Sequence, residues 1–382
     1  MKYFNAHAHT FNMQDVPDGF LKVKLPDRFA NFVHWILSHD VSSKIFFWLA
    51  NKVVRKGTTA KAIAFLAIGV KKTQDMVFVD LLANYPTGDD VKCIILPLDF
   101  THMGAGPLQV SYTQQLEDLF EVQMKYPNQC FPFVAIDPRS GTSIENRDFV
   151  KRYIDRGFSG IKIYPALGYF AFDAGMFDVY KYAQENSIPL MTHCSSGGIN
   201  YVGDTARQSF VKPKPFPPLN PDDYYFPQKE GQKMSDYCDQ FNDPAHFREV
   251  LQIFPQLKMC FAHMGLNQKN KIGPKRPEKH QPLFQWYKII KELMGEYKNV
   301  YTDISYSVAY AGFCDWFKKE FETYSPDMQN RVLFGTDFFM TVQEEKGKDK
   351  EIFDTVIEEL GIPLFKKLSG ENVERYLNLE VN

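Results

Sequence analysis

The sequence predicts an α/β protein folded as a single (β/α)8 TIM barrel. Three observations predict it. Short apolar runs rich in Val, Ile, Phe and Tyr recur eight times, at residues 2–9, 92–100, 130–137, 160–165, 188–194, 258–265, 300–307 and 332–339. Amphipathic stretches fall between them, with apolar residues three and four apart, as in Leu116, Leu119 and Phe120. The spaced glycine turn that follows a strand in an open nucleotide-binding sheet is missing, and the pair Gly197 and Gly198 is too short to replace it. A chain of 382 residues is long enough for such a barrel as one domain.

In chain order, the first run, KYFNAHAH, leads into an insertion at residues 10–82 that reads as mostly helical. Within it, residues 29–54 are apolar but contain His34, His39, Asp40, Lys44 and Lys52, too many costly groups for a membrane span, so soluble helices broken near Ser42 are expected. Helices are then predicted at 113–126, 144–155, 174–186, 244–254, 283–297 and 311–324, with more after Lys350. A second insertion, at 199–242, carries prolines and aromatics in stretches such as KPKPFPPLNPDDYYFP. Both insertions follow C-terminal strand ends, the face where barrels of this kind keep their active sites, and both are candidate lids, the second reading equally as a rigid surface loop packed on its own rings. The basic loop 267–282 reads as a solvated connection.

Composition narrows the function. Lys and Arg total 44 against 46 Asp and Glu, a net charge of −2, which gives no electrostatic basis for nucleic acid binding. The six cysteines stand singly, without zinc-knuckle spacing or the density of a disulfide scaffold, so reduced thiols in a cytoplasm are expected. The opening MKYFNAHAH interrupts any apolar signal-peptide core with polar residues. Aromatic residues make up 15% of the chain, which suggests an apolar or aromatic substrate pocket.

His7 and His9 are one residue apart in a predicted strand, so both imidazoles face the same side and can grip one ion. Alone, a His-x-His pair is a weak signal. But His193 closes IPLMTHC, His263 closes KMCFAHMG and Asp337 closes VLFGTDFF, each at the end of its own strand. In a barrel those ends converge, and the gathered nitrogen and oxygen donors suit zinc, manganese, iron or nickel. Buried without a partner, such groups would each cost about 1–3 kcal/mol, which an ion would offset.

These motifs, in this order, resemble the metal-dependent amidohydrolase superfamily. The strand-four segment GFSGIKIYP, the FGTDFF ending and the terminal GENVERYL look like its amidohydrolase 2 branch, which includes aminocarboxymuconate semialdehyde decarboxylase and related decarboxylases and hydrolases. The resemblance implies that His7, His9, His193 and Asp337 ligate one divalent ion, zinc first, with His263 beside it as a catalytic residue. Some superfamily members bridge two ions through a carboxylated lysine on strand four. Lys162 lies on that strand, but a lysine paired with a neighbouring carboxylate inside the barrel is the preferred reading. Dimers are common in the family, and the helical insertion offers an interface for a homodimer.

The expected activity is hydrolysis of an amide, ester or lactone of a small molecule by an activated water, with Asp337 moving the proton and His263 stabilising the oxyanion. The alternative is non-oxidative decarboxylation of an aromatic or unsaturated acid. It would need a guanidinium to clasp a carboxylate, and Arg139 and Arg207 are the candidates. His102 and Tyr164 are further expected substrate contacts, and Asp303 and Tyr306 are weaker candidates at the mouth, Asp303 reading either as a residue that orients a ligating imidazole or as one that simply satisfies backbone donors, and His34, His39, His246 and His280 need no role. A binding protein without catalysis is the third class, and the intact donor set argues against it.

Overall fold

The computed structural model describes residues 1–17, 19–20, 73–206, 210, 212, 214–266, 285–343 and 349–379. Eight parallel strands follow one another in sequence order: β1 Lys2–Ala8, β2 Asp90–Ile95, β3 Cys130–Ala135, β4 Gly160–Ile163, β5 Leu190–Thr192, β6 Met259–Phe261, β7 Val300–Asp303 and β8 Val332–Leu333. Backbone bonds close the ring, from Ala6 N–H to Phe334 O (2.8 Å), Asp337 N–H to His7 O (2.8 Å) and His9 N–H to Phe338 O (2.6 Å). The protein is a (β/α)8 barrel, as its sequence predicts.

The crossover helices lie where the apolar spacing puts them, including Tyr112–Lys125, Ser143–Ile154, Phe177–Glu185, Phe247–Ile253, Gln285–Glu296 and Phe313–Glu322. Local chemistry sets their ends. The hydroxyl of Ser111 accepts from Gln114 N–H, and Thr142 and Glu145 cap each other reciprocally, which satisfies otherwise orphaned first-turn donors. The strands are shorter than their apolar runs. β8 is regular only at Val332–Leu333, against a predicted 332–339; beyond it the segment is still tied to β1 by single bonds and by an isolated bridge between Ala8 and Phe338, without forming a continuous ladder.

Two apolar layers result. The outer one fills the space between strands and helices, and the inner one contains Phe4, Ile94, Phe133, Met191, Cys260, Tyr301 and Leu333. The C-terminal helix Asn372–Tyr376 plugs the lower end of the barrel: Tyr376 packs on Tyr301 (ring centroids 5.1 Å apart) and Phe133 (6.4 Å). Asn372 donates to Val332 O at 2.7 Å, and Lys258 Nζ donates to Arg375 O at 3.1 Å, so polar bonds hold the plug at its rim. With the floor sealed, access to the interior is from the C-terminal strand ends.

Most of the insertion at 10–82, including residues 21–72 with His34 and His39, lies outside the described residues, as does the loop 267–282 with His280. The homodimer expected from that insertion therefore has no described surface to rest on. The second insertion is largely described. It carries the short helix Met234–Cys238 and packs on its own rings and those of the strand-four loop, with Phe170 against Phe226 (4.5 Å) and Phe241 (4.6 Å), and Phe172 against Tyr224 (4.5 Å). His246, expected to have no role, is enclosed by Phe170, Phe172 and Phe226. No helix among the described residues is long and apolar enough to cross a membrane.

Gly160 opens β4 where a side chain cannot fit, since an added Cβ would lie 2.5 Å from Phe133 Cζ and 2.6 Å from Pro189 O. Gly160→Ala should therefore lower stability by about 1–3 kcal/mol through overpacking of the barrel interior. A urea unfolding curve that matches wild type would contradict this packing.

Candidate metal centre

Closure of β1 against the segment after β8 brings three donor atoms together. His9 Nε2 lies 3.1 Å and His7 Nε2 3.5 Å from Asp337 Oδ1, and all three residues are buried. Hydrogen bonds at the far side of each ring show which nitrogen carries the proton. His7 Nδ1 is 2.9 Å from Asp303 Oδ2, and His9 Nδ1 is 2.6 Å from the Leu96 carbonyl oxygen. Both acceptors lack protons, so each Nδ1 is the donor, and each neutral ring turns an Nε2 lone pair toward Asp337.

Asp337 Oδ1 is buried and has no hydrogen-bond partner. Burial lowers the basicity of His7 well below that of free imidazole, with the charge of Lys162 acting in the same direction. Two lone pairs and a carboxylate oxygen facing one point repel each other unless a cation sits among them. Ligands about 2.0–2.1 Å from a tetrahedral ion are spaced about 3.3 Å apart, and the observed 3.1 and 3.5 Å bracket that value. The residues fit a divalent metal.

Asp303, at the end of β7, organises the wall behind this trio. Its Oδ2 fixes His7, while its Oδ1 accepts from His263 N–H at 2.8 Å and from Ser305 N–H at 3.0 Å. The expectation that Asp303 orients an imidazole and the alternative that it satisfies backbone donors both hold. Ser305, which the sequence reading passed over, stands between the rings: its Oγ donates to Asp303 Oδ1 and lies 3.1 Å from His7 Nδ1 and 3.0 Å from His263 Nδ1. Strand parity could have found it, since it lies two residues beyond Asp303. Gly335 in the FGTD segment leaves room for His7, whose Cβ would be 2.6 Å from an added Cβ.

His193 and His263 reach the same mouth but pair with each other, His263 Nε2 lying 3.2 Å from His193 Nδ1. His193 is thus not drawn into the tight His7, His9 and Asp337 group, although its Nε2 is buried and unpartnered. His7, His263 and Asp303 form a second close group of metal-capable atoms. Several strand ends at the mouth carry left-handed backbone, at His263 (φ 63°), Tyr306 (φ 58°) and Asp337 (φ 63°). Such residues store on the order of 1–3 kcal/mol each, strain that surrounding structure sustains at functional sites.

The other expected residues have separate settings. Tyr164 stacks on His193 (centroids 4.1 Å, planes 10° apart), and its hydroxyl bonds the Ile199 backbone, so the β5 loop, ring and imidazole form one layer. Arg139 is committed to Asp137 through Nε (2.8 Å) and Nη2, and donates to Leu167 O at 2.9 Å. Its guanidinium braces the loops after β3 and β4 instead of lying open as a substrate clasp. His102 is half-buried in the turn after β2, where its charge acts on Asp99. Arg207 lies outside the described residues. Lys162 is fully buried on β4, and its Nζ has no hydrogen-bond partner, so the expected direct pairing with a carboxylate is not formed.

The amidohydrolase family profile matches residues 70–379. The chain belongs to the amidohydrolase family. No curated protein matches this amidohydrolase significantly. Solved structures of like architecture include a 5-carboxyvanillate decarboxylase from Novosphingobium aromaticivorans complexed with manganese and 4-hydroxy-3-methoxy-5-nitrobenzoic acid, at 14% identity and a TM-score of 0.57, covering 99% of this chain and 96% of that one. A probable 2-pyrone-4,6-dicarboxylic acid hydrolase from Acinetobacter baumannii with citric acid bound has 9% identity and a TM-score of 0.51 over 99% and 100% of the two chains. An amidohydrolase from Burkholderia multivorans with bound zinc has 10% identity and a TM-score of 0.52 over 100% of both. At these identities the likeness is one of fold.

Asp303→Asn should leave the fold intact and weaken zinc binding about 10–100-fold, because the amide no longer fixes the His7 ring as a charged acceptor. Equilibrium dialysis against zinc measures this, and wild-type affinity in the variant would remove Asp303 from the support of the site.

Proposed function

We propose that this amidohydrolase is a metal-dependent hydrolase that cleaves an amide, ester or lactone of a small molecule with an activated water. The convergence of His7 Nε2, His9 Nε2 and Asp337 Oδ1, each without a proton to offer the others, is the observation that carries the reading. A divalent ion bound at such a point would supply Lewis acidity that brings the pKa of water toward about 7. His7, His9 and Asp337 would hold it, and the bare Nε2 of His193 makes that residue the proposed fourth donor. Zinc suits three imidazoles and a carboxylate; manganese, iron and nickel are the alternatives, and a relative in fold holds zinc and another manganese. One ion per chain is the proposal.

Asp337 accepts the proton of the attacking water and passes it to the leaving group. His263, anchored through Nδ1 to the Ser305 carbonyl oxygen at 3.1 Å, is the proposed stabiliser of the oxygen that gains charge as the carbonyl is attacked, a role that requires its Nε2 to be protonated and released from His193 Nδ1. His102 and Tyr164 are the proposed substrate contacts. Hydrolysis is preferred over decarboxylation because Arg139, one of the two candidates for a carboxylate clasp, already spends its fork on Asp137. The six cysteines are free and buried, in keeping with a reducing compartment such as the cytoplasm.

Elemental analysis of purified protein should find one divalent ion per chain, and a panel of small esters, lactones and amides should give turnover that chelation abolishes. Release of carbon dioxide from aromatic or unsaturated acids, with no cleavage in the panel, would install decarboxylation instead. Removing the ion should also lower Tm, since it binds only the folded chain. Asp337→Asn, loaded with metal, should lose activity by a factor on the order of 10² or more, and near-normal turnover would refute its role.

A further inference from the structure

Lys162 is the buried charge that the chemistry above leaves unused. Its strand register places it in an interior layer with Met191, Cys260 and Tyr301, since Lys162 pairs with Met191, Met191 with Cys260 and Cys260 with Tyr301. Two residues further along the same strands, and so on the same face one step nearer the mouth, stand His193 and Asp303. The lysine therefore lies one layer below the mouth, under the face that carries His193 and Asp303, and its charge acts on His7. It is fully buried, and no atom accepts a hydrogen bond from Nζ.

The centre needs a positive charge even without an ion. Asp303 is fully buried and Asp337 nearly so, and the two carboxylates flank the same His7 ring, which burial keeps neutral. Two buried carboxylates with no countercharge would cost several kcal/mol. Among the described residues the other buried cations, Lys258 and Arg331, are tied to backbone carbonyls at the floor and flank of the barrel. Burial lowers the basicity of Lys162 to about 8, while Asp303 and then Asp337 act to keep it charged.

We propose that Lys162 is an internal counter-ion: its ammonium shares one positive charge between Asp303 and Asp337, holds the donor set in place in the metal-free protein, and competes with the divalent ion for the charge of Asp337. With no hydrogen bond to either carboxylate, Nζ acts on both through space, as an unshielded charge in a buried layer. The proposal rests on the metal-centre reading above and assigns Lys162 a positioning part in it. An ion and an ammonium attracted to the same carboxylate repel each other, so the lysine sets metal affinity below what the donors alone would reach.

The test compares zinc binding by wild type, Lys162→Met and Lys162→Gln, each stripped of metal and titrated against a competing chromophoric chelator. Wild type should bind one ion, and both neutral variants should bind one ion about tenfold or more tightly. By linkage, zinc should then raise the variants' Tm by more than it raises that of wild type. A purely structural lysine gives no reason for tighter binding, and unchanged or weaker affinity in the variants overturns the proposal. So does a stoichiometry of two in wild type falling to one in the variants, which would make the lysine a ligand. If the metal-free variants do not fold, zinc in the refolding buffer should restore them, and failure with zinc present also overturns it. Wild type binding no ion at all sinks the metal centre itself, an outcome distinct from failure of the lysine proposal, in which wild type still binds one.

Discussion

Everything at the mouth depends on the closure of the barrel between β1 and the segment after β8. The bonds from Asp337 N–H to His7 O and from His9 N–H to Phe338 O are ordinary backbone bonds of 2.8 and 2.6 Å. They do more than complete the ring, because they put the His-x-His pair from one end of the chain against the carboxylate from the other. Gly335 permits the close approach, and the left-handed backbone at Asp337 turns its carboxyl inward. A closed sheet has no free edges, so these contacts are held by the whole barrel and not by a flexible loop.

The second organising element is Asp303. A single carboxylate orients His7, ties down the backbone at His263 and Ser305, and receives the Ser305 hydroxyl. A buried carboxylate is tolerated when its lone pairs are satisfied, and this one is well supplied with donors. The result is a rigid wall at β6 and β7 facing the trio from β1 and β8. Rigidity of this kind is what a metal site needs, since ligands held in place lose little freedom when an ion arrives.

The mouth is divided in character. On the β1 and β8 side it is polar and donor-rich, whereas on the β4 and β5 side His193 stacks on Tyr164 beneath the second insertion. That insertion packs many aromatic rings over the strand-four loop, and Arg139 braces its neighbours with a salt bridge to Asp137 instead of presenting a free guanidinium. The mouth therefore has donors along one wall and ring faces along the other. Part of the aromatic content seen in the sequence thus packs beside the mouth, and much of the rest fills the layer between strands and helices.

The sequence by itself determined the barrel and the list of donors. Eight apolar runs separated by amphipathic stretches specify strand and helix through their periods, and His7, His9, His193, His263 and Asp337 are recognisable because each closes a strand. Only the tertiary structure decided which donors meet. His193 pairs with His263 and stands apart from the trio, Arg139 is bound to Asp137, Ser305 joins the network unannounced, and Lys162 is left buried without a hydrogen bond. Periodicity reports which face of an element a residue occupies. How far a side chain reaches, and which of several neighbours it bonds, depends on the stagger of strands and the turn of the backbone at their ends, where no local pattern carries the information.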